Sequence, residues 1–78
     1  MFELKTEFMY NQRLKIIDGA DIYEATVEFA PEKERMLLVW LDDFHIPSNK
    51  IASVKKELNG WLSEKEILVV FKSGNRIG

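Results

Sequence analysis

Asp42, Asp43 and His45 form the one cluster in this chain whose residue types could hold a metal or act as acid and base. Two carboxylates and an imidazole would suit zinc or manganese. They also precede a helical pattern and follow an apolar one, the loop position where ligands bind in open α/β sheets. Adjacent aspartates on an extended chain, however, point to opposite sides, and third and fourth ligands are not visible nearby. The expectation is solvated loop charge and no metal. His45 is the only histidine. Histidine is the commonest general acid–base group, but it needs a nucleophile or substrate beside it. The nearest hydroxyl, Ser48, reads as a helix N-cap, its oxygen accepting from an orphan N–H of the first turn. No Gly-x-Ser-x-Gly, phosphate loop or dinucleotide fingerprint occurs. The chain is therefore expected not to be an enzyme, to need no cofactor and to have no evident small-molecule substrate.

A second chemistry is possible at the lysines. Lys50, Lys55 and Lys56, with Lys65, Lys72 and Arg76 further on, could make a basic stripe for nucleic acid. The aromatic residues could offer stacking surfaces of the kind that sheet-type RNA binders use. Against this, Glu57, Glu64 and Glu66 interrupt the stripe, and the aromatics fall mostly at inward positions of the strand patterns. The net charge of −2 lacks the basic excess of a typical nucleic-acid binder. Nucleic acid is the alternative reading, carried by Lys50, Lys55 and Lys56. Glu24, Glu28, Glu32 and Glu34 could steer a basic partner, although a wet strand face is the simpler explanation.

The elements that must position these residues follow from periodicity. Residues 2–8 alternate, with Phe2, Leu4 and Phe8 on one face and Glu3, Lys5 and Glu7 on the other. Residues 13–16 alternate again after a turn at Tyr10-Asn11-Gln12. Asp18-Gly19 is a hairpin signal, because glycine accepts positive φ without steric cost. Residues 22–29 form a third strand, with Tyr23, Ala25, Val27 and Phe29 inward, and Pro31 ends it. The unbroken apolar run 36–41 is too short for a buried helix and reads as a fourth strand. Ile51, Val54, Leu58 and Trp61/Leu62 lie on one helical face. Asn59-Gly60 is an expected stop, with an extension to Leu62 as the other option. Residues 67–71 make a fifth strand. The order is ββββαβ: a two-layer α+β domain over 1–72, with a short, frayed tail over 73–78. Strand four, the helix and strand five could form a parallel βαβ unit.

At 78 residues the core is small, and association often supplements stability in chains of this size. The absence of cysteine excludes disulfides, thiolate zinc sites and thiol nucleophiles. Met1-Phe2-Glu3-Leu4-Lys5 lacks the character of a signal peptide. No apolar run approaches the roughly 20 residues of a membrane span. The cytoplasm is the expected setting.

The two last strands have a second face that needs cover. Strands one to three carry charge on the face that a single helix leaves uncovered. Strands four and five are apolar on both faces, so half of their side chains would lie bare, more than a monomer usually tolerates. Curling of the sheet or the tail, a second copy, or a different protein could cover them. The reading adopted is a small protein–protein interaction domain, an accessory, inhibitor, immunity or phage-type protein, self-associating as a homodimer or binding another protein. Its contact surface is expected at Leu38, Trp40, Asp42, Asp43, Phe44 and His45, with Trp40 the natural hot spot.

Overall fold

The computed structural model describes residues 1–77. It contains β1 (Phe2–Phe8), β2 (Asn11–Asp18), β3 (Asp21–Ala30), β4 (Met36–Trp40), a 3-10 turn (Leu41–Phe44), α1 (Ser48–Glu64) and β5 (Leu68–Lys72). The strands lie in one sheet in chain order, β1-β2-β3-β4-β5. The first three pairings are antiparallel and β4 pairs parallel with β5. This is the α+β, ββββαβ architecture expected from the periodicity. Asp18 pairs with Asp21 across the second hairpin, whose Gly19 sits at φ +60°.

Side-chain alternation sends Leu14, Ile16, Ala25, Val27, Leu37 and Val39 to one face, where they are buried. Val54, Leu58 and Leu62, at i, i+4 and i+8 of α1, close over them. Leu41, Phe44, Ile46 and Ile67 fill the end of this core from the connections. Phe2 stacks at a tilt on Trp61, with ring centroids 5.4 Å apart. Burying each large aliphatic side chain contributes about 1.5–3 kcal/mol.

Several expectations need correction. Ser48 is the first residue of α1 rather than its cap. Pro47 holds the cap position with no side-chain bond, and its carbonyl accepts from Lys50 N–H at 2.9 Å. Gly60 does not end the helix. The apolar stripe continues through Trp61 to Leu62, and that burial outweighs the glycine penalty of about 1 kcal/mol. The true stop is at Lys65 and Glu66, whose N–H groups donate to Leu62 and Ser63 carbonyls, with Glu66 at φ +60°. Arg35 Nη1 also donates to the Lys65 carbonyl at 3.0 Å, tying the β3–β4 turn to the negative end of the helix dipole. Leu41 leaves the strand and opens the 3-10 turn while staying buried.

Phe8 departs most from its pattern. Thr6 faces Gln12, but Phe8 faces Asn11, so the register slips by one residue at Glu7. A one-residue slip turns a side chain to the opposite face. Phe8 is 68% exposed, and Met9 and Tyr10 beside it are 78% and 64% exposed. Met9 adopts φ +53°, a conformation an unbranched L-residue takes at a cost of about 1 kcal/mol.

Candidate binding surface

The sheet face turned away from α1 is divided by composition. Over β1–β3 it is a lattice of charged and polar side chains. Lys15 Nζ lies 3.9 Å from Glu3 and Arg13 Nε lies 3.7 Å from Glu24. Arg13 donates to Thr26 at 3.4 Å, and Thr26 donates to Glu7 at 3.0 Å. Over β4 and β5 the same face carries Met36, Leu38 and Trp40, paired in register with Leu68, Val70 and Lys72. Met36, Leu38, Trp40 and Val70 are half-buried and Leu68 is exposed. The apolar half follows directly from strands four and five having no polar alternation.

The end of the sheet extends this apolar strip. The β1–β2 tip brings Phe8, Met9 and Tyr10 alongside Ala30 and Pro31, and the Tyr10 carbonyl accepts from Phe29 N–H at 2.8 Å. Between tip and turn lies an open groove of about 650 Å³, with Asn11, Glu28 and Glu32 on its polar walls. A smaller depression lined by Ala30, Glu32, Lys33, Glu34, Met36 and Leu38 shares Ala30 and Glu32 with it. Apolar side chains thus run from the tip to β4, edged by Glu28, Glu32, Lys33 and Glu34.

The residues expected at the contact surface do not all meet there. Leu38 and Trp40 lie on the apolar half-face. Phe44 is 3% exposed and belongs to the core, because the 3-10 turn rolls it inward with Leu41. Asp42 and His45 are exposed, and His45 has φ +56°. Asp43 is engaged by the C-terminal segment: its carboxylate accepts from Asn75 Nδ2 at 2.8 Å and from Arg76 N–H at 3.2 and 3.3 Å. Among the described residues, no three histidine, aspartate or glutamate side chains converge on a metal-sized site.

The tail expected to fray over 73–78, whose last position lies outside the described residues, is instead tied back at Asn75 and Arg76 over the outer face. Arg76 Nε donates to Glu28 Oε1 at 3.1 Å and Nη2 to Asn11 Oδ1 at 2.8 Å. Its side chain is 17% exposed, whereas Ile77 is 95% exposed.

The lysines are not a free stripe. Lys50 Nζ donates to Asp18 at 2.8 Å and to Asp21 at 3.4 Å. The Asp18 hydrogen bond holds Lys50 above its ordinary pKa, and the same bond holds the Asp18 carboxyl below its own. Lys55 Nζ lies 5.4 Å from the Phe71 ring centre and Lys65 Nζ lies 4.8 Å from that of Trp61. Lys56 is exposed.

The Phe8–Tyr10 tip and the Arg76 contacts were missed by sequence reasoning. The exposed tip follows from a register slip that no residue in 2–8 announces. The arginine contacts join positions 11, 28, 43 and 76, which local periodicity does not connect. No family model, curated protein or solved structure matches this chain.

Proposed function

We propose that this chain is a non-enzymatic protein–protein interaction domain, an accessory or inhibitor-type factor, that self-associates through the outer face of β4 and β5. A cytoplasmic setting belongs to the same reading and rests on the cysteine-free composition. The observation that carries it is the division of the outer face. Its charged half is satisfied by internal pairs, while Met36, Leu38, Trp40, Leu68 and Val70 form an apolar half with acids at its margin. An apolar centre with a polar rim is the anatomy of a protein contact. Stable pairs bury about 800 Å² per partner, a modest share of this molecule's 5330 Å². The tail crosses β4 to reach Glu28 and Asn11, so it shares this face, and it leaves Leu68 exposed.

The test is molar mass in solution by light scattering at low and high salt. The expected result is twice the 9.1 kDa chain mass, unchanged by salt because the contact is apolar. Leu68→Glu, at an exposed position, is expected to give a folded monomer. A wild-type chain that stays monomeric at millimolar concentration would remove self-association from this reading.

A further inference from the structure

We propose that Glu28, Asn11 and Asp43 form a seat for arginine, which in the isolated chain is filled by Arg76, and that the seat and adjoining groove bind an arginine-bearing apolar segment of another protein. The inference rests on the protein–protein reading above, but not on self-association.

The seat is defined by its occupant. A carboxylate at Glu28 and an amide oxygen at Asn11 accept from two nitrogens of one guanidinium, at 3.1 and 2.8 Å. Asp43 fixes the backbone beside it through Arg76 N–H and Asn75 Nδ2. Acceptors placed for separate nitrogens of a planar fork discriminate arginine from lysine, whose ammonium is a point charge. Asn11 and Glu28 are register partners at the tip end of the β2–β3 ladder, so the backbone pairing of two strands holds both acceptors side by side.

The occupant leaves the neighbouring site unused. Asn11 and Glu28 are also walls of the groove between Phe8, Met9, Tyr10 and Pro31. The tail is held by the hydrogen bonds of Asn75 and Arg76, and the residue after the arginine, Ile77, is 95% exposed. Three consecutive large apolar side chains at the tip are exposed, with Met9 held at positive φ to present them. A segment that placed arginine in the seat and an apolar side chain in the groove would gain burial that the tail never achieves. Glu32 on the groove wall adds complementarity to a basic segment. The tail competes because it is tethered, at an effective concentration on the order of millimolar.

The probe is a capped, fluorescently labelled synthetic peptide with one arginine flanked by leucine and phenylalanine on each side. Its binding is read by anisotropy on the full chain and on variants whose fold is checked by circular dichroism. Removing the tethered competitor with Arg76→Ala is expected to tighten binding about fivefold or more. In that background, Glu28→Gln is expected to abolish binding, and Asn11→Ala to weaken it if Glu28→Gln does not fold. Replacing the peptide arginine with lysine is expected to weaken binding about tenfold. Tyr10→Ser, at an exposed position, should weaken it by a similar factor. Equal affinity for wild type and Arg76→Ala, or equal affinity for the arginine and lysine peptides, would overturn the inference. Light scattering on the same samples separates the two readings. Peptide binding by a monomer keeps the arginine seat and removes the dimer, and a dimer indifferent to the peptide does the reverse.

Discussion

Lys50 joins the helix to the second hairpin through Asp18 and Asp21, and the pair makes stability depend on pH in a defined way. Asp18 has its pKa lowered from an ordinary 3.8 by the Lys50 hydrogen bond, so its contribution is present above that value and is lost as pH falls through the lowered one. Lys50 has its pKa raised from 10.5, so its contribution is present below 10.5 and is lost as pH rises past the raised value. Both groups are solvated, so the effect is small. Lys50→Met is therefore expected to melt slightly below wild type between about pH 5 and 9, with the gap closing as pH falls below the ordinary 3.8 of Asp18. Thermal melts across that range check it, and a gap that widened in acid would assign the stabilisation to another group. At this scale the sequence was only partly readable. Lys50 looked like one member of a basic stripe, because its acidic partners lie 29 and 32 residues away in a different element.

The elements themselves were more legible than their ends. The alternation in β1 and β3, the unbroken apolar runs of β4 and β5, and the stripe of α1 each follow from local periodicity, and each formed. Ends depended on contacts that periodicity cannot see. Gly60 looked like a stop, yet Trp61 and Leu62 pull the helix one further turn onto Phe2 and the core. A Cβ added at Gly60 would meet nothing within 4 Å, and the residue is exposed. Gly60→Ala is thus expected to stabilise the fold by about 0.5–1 kcal/mol, by reducing the freedom of the unfolded chain. The melting midpoint should rise by a few degrees. A fall would mean that the helix end is packed more tightly than its exposure indicates. The same distinction explains Phe8: its alternation placed it inward, and the slip at Glu7 put it on the surface.

On the scale of the whole molecule, two kinds of pairing are joined at β4. β1, β2 and β3 are linked by tight turns, whereas β5 reaches β4 only after the 3-10 turn and all of α1. Closing a longer loop costs more entropy, and local openings should begin where the closure is long and the strand lies at an edge. Amides of Leu14 and Val27, central and fully buried, are expected to exchange with solvent only through global unfolding. Those of Val69 and Val70 should exchange at least about tenfold faster, a difference of roughly 1.4 kcal/mol. Uniform protection by hydrogen-exchange NMR would show that the two halves open together. The sheet's second, half-apolar face was legible in advance because strands four and five have no polar alternation. Its boundary was not, since it is drawn by Arg76 reaching across from a distant tail.

The parallel pairing of β4 also sets an order of events during synthesis. β3 can zip onto β4 soon after both leave the ribosome, but the far edge of β4 has no partner until α1 and β5 have been made. During that interval Met36–Trp40 is an open, apolar strand of the kind that recruits other nascent chains. Glu32, Lys33, Glu34 and Arg35 precede it and Asp42 and Asp43 follow it. Charges that flank an unavoidable apolar strand act as gatekeepers against aggregation. The charge clusters on either side of β4 thus have work to do before the fold is complete.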